Sequence, residues 1–171
     1  MALNIPPAVS SNGTVKVVFV PDGGLAAPGK ATVAEIKAGT EISCHLTADG
    51  FAPNAEEQVS DGRRLCSKQS YDIVGATKWS IDDLKYVYDV QNPSSLTNAA
   101  YEALEPGTTG YLIVRWGKDA EIDWAAGDVV DIFQVRLGER RKQQPEADSE
   151  LYVAQKPYVL NRDAEDFALT A

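Results

Sequence analysis

The segment of this sequence that comes nearest to a site for chemistry is the glycine-rich stretch GLAAPGKA, Gly24 to Ala31. It follows a β-branched run and is one hydroxyl short of the phosphate-binding pattern G-x-x-x-x-G-K-[ST], in which amides at a helix N-terminus hold the phosphates. Ala31 stands where that pattern has the hydroxyl that binds Mg²⁺, and Gly39 ends the following helix after about two turns. No Asp follows the apolar run Tyr111 to Val114 to hold the metal. We therefore expect an ordinary loop here, with no nucleotide and no cofactor.

The side chains that serve as nucleophiles and bases are few. His45 is the only histidine, and Cys44 and Cys66 are the only cysteines. Cys44 and His45 are adjacent, so on a strand they would point to opposite faces and could not act as nucleophile and base. A contact between His45 and Cys66 is the alternative that the sequence leaves open.

Carboxylates occur in three close sets, namely Glu56-Glu57, Asp82-Asp83 and Glu146 with Asp148. Paired carboxylates serve glycosidases and bind cations. The first and third sets lie in segments that look like loops, where solvated charge is the simpler interpretation, and none has the spacing of a calcium loop. The sequence thus predicts neither an enzyme nor a metal site.

Composition narrows the class of protein. The 171 residues fit one domain, and 44% hydrophobic with 24% charged residues is typical of a globular chain. The net charge of −9 disfavours tight binding to nucleic acid or to anionic membranes. The N-terminus lacks the features of a secretion signal, so we expect synthesis in a cytosol, with both cysteines reduced and partly buried.

Period-two patterns dominate, so we expect a mainly β fold. The expected strands are 14–20, 41–47, 70–89 with a break at Asp82-Asp83, 111–116, 128–137 and 151–160. The break is required because the apolar residues change faces there. A short helix capped by Thr32 and a longer helix over 95–104 complete the elements. Residues 161–171 read as a flexible polar C-terminal tail.

Two long connections stand out. One covers Ala52 to Arg64, and the other, Gly138 to Glu150, is charged and contains a proline. The first is rich in Gly, Asn and acid and shows no periodicity, so we expect a long exposed loop. Loops of this length in a small domain are usually functional or disordered.

An ordered series of segments gives a more specific indication. They are GTVKVVFVPDG, PGKATVAEIKAGTEISCHLTADGF, DGRRLCSKQSYDIVG, LKYVYDVQNP, NAAYEALEPGTTGYLIVRWGKD and GDVVDIFQVRLGERRKQQPEADSELYVAQKPYV, covering most of residues 13 to 160. In order and spacing, this series resembles the major tail tube proteins of long-tailed bacteriophages, particularly those that infect actinobacteria. No single segment is a chemical fingerprint.

The resemblance implies a two-sheet β-sandwich or barrel with a flanking helix. It also implies a virion protein, made in the host cytoplasm, whose hexameric rings stack into a non-contractile tail tube. Double-stranded DNA would pass through this tube without tight binding, and the partners would be further copies, the tape measure, the tail terminator and the distal tail protein. The alternative is a monomeric β-sandwich module that binds carbohydrate or protein.

Two sets of candidate residues follow from this interpretation. The loop 52–64 would reach a neighbouring subunit or ring, and its charges of both signs would set the register; the candidates are Asn54, Glu56, Glu57, Asp61, Arg63 and Arg64. A lumen of net negative potential would keep DNA mobile, although solubility explains the net charge equally well. The lumen candidates are Lys78, Ser80, Asp82, Lys85, Asp89, Asp131, Gln134 and Arg136.

Overall fold

The structure is a computed structural model that describes residues 6–91, 95–145, 147 and 150–171. Its strands are β1 (Val15–Pro21), β2 (Thr40–Glu41), β3 (Pro53–Gly62), β4 (Tyr71–Ile81), β5 (Leu84–Val87), β6 (Thr109–Trp116), β7 (Val129–Lys142) and β8 (Tyr152–Ala168). The helices are α1 (Val33–Ala38) and α2 (Ser95–Ala103), and short 3₁₀ turns lie at Pro28–Lys30 and Ser43–His45. The mainly β fold with a second, smaller sheet and few helices is therefore confirmed.

Six strands form one sheet in the order β2-β1-β6-β7-β8-β5, and every neighbouring pair is antiparallel. The central strands β1 and β6 are buried on both faces, as their unbroken apolar runs require. Alternate residues therefore serve two cores. Phe19 and Leu112 belong to the core that packs against α2, whereas Val18 and Ile113 belong to the core that packs against α1.

Helix α1 begins as the sequence predicts. Thr32 Oγ1 accepts a hydrogen bond from the Glu35 amide, and the Glu35 carboxylate accepts one from the Thr32 amide, which completes a capping box. Gly39 caps the other end after six residues. Helix α2 buries Ala100 in its second half, and Leu104 just beyond its end packs in the same core.

Strands β3 and β4 form a separate two-stranded sheet. Its ladder starts at the Pro53–Ile81 pair, next to a hydrogen bond from the Asp82 amide to the Ala52 carbonyl. The strand break predicted at Asp82-Asp83 is confirmed, because it separates β4 from β5. The chain therefore passes directly from the small sheet into the edge strand of the large one.

Several expectations are wrong. Residues 53–62 of the predicted loop are strand β3, paired along its length with β4. Residues 161–168 of the predicted flexible tail continue β8, because β7 is long enough to pair with them, and the other connection shortens because β7 runs on to Lys142. The predicted strand 41–47 is only β2 followed by a 3₁₀ turn.

The expectation for the cysteines also needs correction. Cys44 and Cys66 are unbonded, as predicted, but both are exposed rather than partly buried. Cys44 lies in the 3₁₀ turn and Cys66 lies in the connection between β3 and β4. The carboxylate set Glu146 and Asp148 lies outside the described residues.

Candidate assembly surface

The most exposed feature of the molecule is the hairpin 53–81, which we call the arm. It consists of β3, a connecting turn at residues 63–70 that we call the tip, and β4. Every residue from Tyr71 to Lys78 is exposed, and so is every residue from Asn54 to Asp61. At about 3.3 Å per residue, the eight steps from Trp79 to Tyr71 span about 26 Å. The arm therefore extends well away from the large sheet.

The arm carries apolar side chains that nothing in the described chain covers. Val59, Tyr71, Ile73 and Val74 are 54%, 43%, 47% and 62% exposed. The outer edges of β3 and β4 also have no further strand beside them in the part of the chain that the structure describes. Isolated two-stranded hairpins are marginally stable in water, and open edges favour pairing with another chain. The arm thus has the properties of a surface that is completed by association.

The tip is cationic and apolar. It contains Arg63, Arg64 and Lys68, and Leu65 between them is fully exposed. These residues line an open hollow of about 600 Å³, and the Arg64 guanidinium lies 5.8 Å from the centre of the Tyr71 ring. Gly62 is required at the base of the tip because a Cβ there would lie 2.5 Å from that ring.

The two strands of the arm place charges directly opposite one another. Glu56 pairs with Lys78, which is a favourable cross-strand pair. Asp61 pairs with Asp72, so two carboxylates face each other near the tip. A register shift at Gln58 lies between these pairs. Like charges directly opposite destabilise an isolated hairpin, which is a second reason to expect a partner for the arm.

The root of the arm is fixed by an aromatic and ionic cluster. The Trp79 ring lies 6.3 Å from Phe133, and the Arg162 guanidinium lies 4.1 Å over Trp79. Arg162 forms ion pairs with Asp131 at 3.3 Å and with Glu165 at 2.8 Å. Asp131 also accepts a hydrogen bond of 2.9 Å from the Trp116 indole. This cluster joins the arm to β6, β7 and β8.

The six assembly candidates all lie on the arm and are all exposed: Asn54, Glu56, Glu57 and Asp61 on β3, and Arg63 and Arg64 in the tip. Sequence analysis missed the second half of this surface. Leu65, Lys68, Tyr71, Ile73 and Val74 were not singled out, because residues exposed on both faces of a strand give no periodic signal.

The eight lumen candidates lie in five places. Lys78 and Ser80 are on β4, Asp82 is at the strand break, and Asp89 lies next to α2, where Asn98 hydrogen-bonds its backbone. Lys85 is on β5, and Asp131, Gln134 and Arg136 are on β7. Asp131 is committed to the root cluster described above. The structure therefore does not bring the eight residues together on one surface.

Three lumen candidates do share a face of the large sheet. Gln134 and Arg136 alternate with Val135 and Leu137, which pack in the core under α2. Lys85 alternates with Leu84 and Tyr86, which pack in the same core. The three polar side chains therefore point to the opposite face of the sheet, where Tyr158 is also exposed.

The loop after β6 is held by a buried ionic cluster. Arg115 is 1% exposed; it forms a 2.8 Å ion pair with Asp128 and donates hydrogen bonds to the carbonyls of Asp119, Ile122 and Asp123. Burial would raise the pKa of Asp128, but hydrogen bonds from Lys118, Arg115 and the Ala125 amide outweigh it and lower the pKa to about 2. This cluster is structural, since its polar atoms are directed at one another.

The glycine-rich loop uses its helix N-terminus internally. Glu35 accepts hydrogen bonds from the amides of Ala26 and Thr32, and these bonds lower the Glu35 pKa. A carboxylate of the chain itself thus occupies the place where the phosphate pattern would put its ligand. Within the described residues, no group of three or more His, Cys, Asp or Glu side chains is placed to hold a metal ion. The His45 Nε2 is within hydrogen-bond distance, 3.0 Å, of the Leu96 carbonyl oxygen, and His45 forms no described hydrogen bond to either cysteine.

The chain thus combines a β body that has two cores with an exposed hairpin, an arrangement typical of proteins that associate with further copies. Sequence comparison identifies the family: a model described as "Phage tail tube protein" matches residues 2–171, so the chain belongs to the phage tail tube protein family. This is a family of structural tail proteins and not of enzymes. The resemblance stated from the sequence is thereby confirmed, while the actinobacterial host group stays a prediction.

A solved structure has the same fold. A chain in the cryo-EM structure of the anti-feeding prophage (AFP) baseplate, 6-fold symmetrised, superimposes with a TM-score of 0.57 at 14% identity, covering 92% of this chain and 94% of that chain. Comparison with curated protein sequences gives no match. In the described part of the chain, none of the helices has the length and apolar character needed to span a membrane.

Proposed function

We propose that this protein forms rings of six copies that stack into the tail tube of a long-tailed phage, and that double-stranded DNA is ejected through the lumen. The observation that carries this proposal is the arm, an extended hairpin with uncovered apolar residues in a chain of the tail tube family. The six-fold symmetry of the baseplate that contains the structural neighbour supports the ring number.

Such a tube requires contacts between unlike surfaces. The arm of one copy meets a different surface on the next copy; such a heterologous contact forms a closed ring or, where the rotation does not close, an open-ended stack. The candidates Asn54, Glu56, Glu57, Asp61, Arg63 and Arg64 lie on this arm. The tape measure, the tail terminator and the distal tail protein are the proposed further partners, in a virion assembled in the host cytoplasm.

The face that carries Lys85, Gln134 and Arg136 is the best candidate for the lumen. Two cations here are engaged, because Lys85 is ion-paired with Asp49 and Arg141 with Asp83, whereas Arg136 is exposed and forms no ion pair with a described residue. Engaged cations release fewer counterions from DNA and so bind it weakly. Together with the net charge of −9, this face is suited to passing DNA without holding it.

Electron microscopy tests the proposal. The purified protein is examined in negative stain over a rising concentration series, and hollow rings or tubes with six-fold end views are expected. A monodisperse monomer at every concentration, also in the presence of distal tail protein as an initiator, would reject the tube. Such a monomer would favour the alternative of a binding module, for which tryptophan fluorescence with added sugars is the next measurement.

A shortened arm tests its role. Replacing residues 57–77 by Asn-Gly joins Glu56 to Lys78, which are already a cross-strand pair, through a two-residue turn. We expect a folded monomer that forms no tubes. Lys30→Ala in the glycine-rich loop is the matched control, since Lys30 is exposed and remote from the arm in sequence, and it should assemble normally. Tubes from the shortened variant would show that the arm is dispensable.

A further inference from the structure

The charges of the chain are unevenly distributed. The arm contains four acids (Glu56, Glu57, Asp61, Asp72) and four bases (Arg63, Arg64, Lys68, Lys78), so the net charge of −9 belongs to the rest of the chain. Within the arm, three of the four bases are in the tip, and no acid lies between Gly62 and Tyr71. The tip is thus the cationic end of a neutral arm, and the rest of the chain is strongly anionic.

The direction of the arm follows from strand pairing. The 46–50 segment continues the pairing of β3: the Thr47 amide bonds to the Lys85 carbonyl, and the Lys85 amide bonds to the Gly50 carbonyl. β4 and β5 therefore follow one line, broken only at Asp82-Asp83. β5 runs towards the start of β8, since Leu84 pairs with Gln155 and Val87 pairs with Tyr152. The tip precedes β4 and so lies in the other direction, towards the end of the large sheet where β8 ends.

We call the end where β8 and β6 begin the far end. Three exposed carboxylates lie there: Asp22, Glu102 and Glu105. The Asp22 amide bonds to the Thr109 carbonyl at 3.1 Å, and the Thr108 amide bonds to the Glu105 carbonyl at 3.2 Å, so both residues flank the start of β6. Glu102 precedes Glu105 by about one helical turn. None of the three forms an ion pair with another described residue.

Arg136 is exposed and lies opposite Thr109 at the start of β6, whereas two further cations near the far end are held by other groups. Arg140 directs its guanidinium to the carbonyls of Tyr101 and Leu104 and stacks on the Tyr101 ring. Lys142 lies over the Tyr88 ring. The far end therefore presents three exposed carboxylates that have no ion-pair partner among the described residues, whereas the tip offers three cations around the exposed Leu65.

We propose that the tip of one copy docks on the far end of a second copy, with Arg63, Arg64 and Lys68 facing Asp22, Glu102 and Glu105. This inference rests on the proposed function, because it names the partner surface of the arm. Tip and far end lie at opposite ends of one subunit, so the contact repeats head to tail along the strand direction. It therefore stacks subunits in one polarity and does not close a ring.

A second acidic group provides the control. Glu121 and Asp123 are exposed, and they lie in the loop between β6 and β7, at the end of the sheet towards which the tip points. A head-to-tail stack does not bring the tip of one copy to this loop in the next. Changes at Glu121 and Asp123 should therefore leave stacking intact, although they alter the net charge by a comparable amount.

Charge reversal tests the contact. One variant carries Arg63→Glu, Arg64→Glu and Lys68→Glu, a second carries Asp22→Lys, Glu102→Lys and Glu105→Lys, and a third combines all six changes. The measurement is the critical concentration for tube formation by sedimentation and electron microscopy, with circular dichroism to verify folding. We expect each of the two three-residue variants to raise the critical concentration about tenfold or more. The combined six-residue variant should return to a critical concentration close to that of the parent. The control is Glu121→Lys with Asp123→Lys, which should behave like the parent.

The outcomes separate this inference from the proposed function. If both three-residue variants form tubes at the critical concentration of the parent, the proposed contact is wrong, but the proposed tube function is unaffected. Loss in the single reversals without recovery in the combined variant also overturns the pairing. Absence of rings and tubes from the parent protein overturns the proposed function, and the contact with it.

Cross-linking gives an independent measurement. Cys66 lies in the tip, and Cys44→Ser makes it the only thiol of the chain. In that background, Glu105→Cys should yield a ladder of covalent multimers under mild oxidation of the assembled protein, because each tip thiol meets a far-end thiol of another copy. Glu121→Cys should yield none. A ladder from Glu121→Cys, or none from Glu105→Cys, would contradict the inference.

Discussion

At the scale of single residues, the strongest constraint is the cluster of Arg115, Asp128 and Lys118. A buried guanidinium needs partners, and here a carboxylate and three loop carbonyls serve the two terminal nitrogens of Arg115, while its Nε has no partner among the described residues. In the sequence, Arg115 lies inside the expected strand 111–116 and carries no signal of its own. Its role depends on the loop that folds back over it, which no local pattern encodes.

This cluster makes stability depend on acid. The folded pKa of Asp128 is about 2, below the ordinary value of 3.8. A depressed pKa contributes stability that is complete above the unfolded value and is lost as the pH falls through the folded one. Between pH 5 and pH 2, we expect the parent to lose about 2 kcal/mol more unfolding free energy than Asp128→Asn. Urea unfolding at several pH values measures this, with the exposed Asp123→Asn as control. Equal pH slopes for parent and Asp128→Asn would contradict it.

At the scale of elements, the sequence predicts those that have an internal pattern. The β-branched run of β1, the continuous apolar run of β6 and the Thr32–Glu35 cap of α1 are all confirmed, because burial or capping dictates their residues. The arm has no such pattern. β3 reads PNAEEQVSDG, whose residues are poor strand formers, and it is a strand because β4 pairs with it.

The end of β8 shows the same limit. Residues 161–168 are polar and half-exposed, so they read as a tail, yet they pair with β7 through several register shifts. Long-range pairing overrides local propensity here. The six assembly candidates could be placed on one segment from their charges, but the apolar half of the arm could not be recognised before β4 was known to be exposed.

The root cluster determines whether the arm behaves as a rigid element. Trp79→Ala removes the ring that packs against both Phe133 and Arg162, and we expect a loss of about 2 kcal/mol in unfolding free energy, since Trp79 is only partly buried. Arm amides should also exchange hydrogen faster, while those of β6 should change much less. Mass spectrometry of exchanged peptides measures this. Tyr71→Ala, at the tip end of β4, is the control and should leave hydrogen exchange at the root unchanged. Equal hydrogen-exchange rates of the arm amides in Trp79→Ala and in the parent would show that the cluster does not hold the arm.

At the scale of the whole molecule, the body is complete and the arm is not. Two cores cover the faces of the large sheet, whereas the arm exposes apolar residues, free edges and an opposed pair of carboxylates. In a monomer this arrangement costs stability, and only a contact with another copy offsets it. The unassembled and assembled states should therefore differ mainly in the arm.

Limited proteolysis measures this difference. Trypsin cleaves after Arg and Lys, and the tip presents Arg63, Arg64 and Lys68 in an exposed turn. Below the assembly concentration we expect cleavage there first, giving two fragments that remain associated, because the break lies outside both cores. In sedimented tubes the same bonds should be cut about tenfold or more slowly, since the docked tip must detach before it enters the protease. The shortened arm, which lacks these sites, should resist at both concentrations. Equal cleavage rates in free protein and in tubes would show that the tip stays exposed after assembly, and the arm would then stabilise the tube through its strands alone.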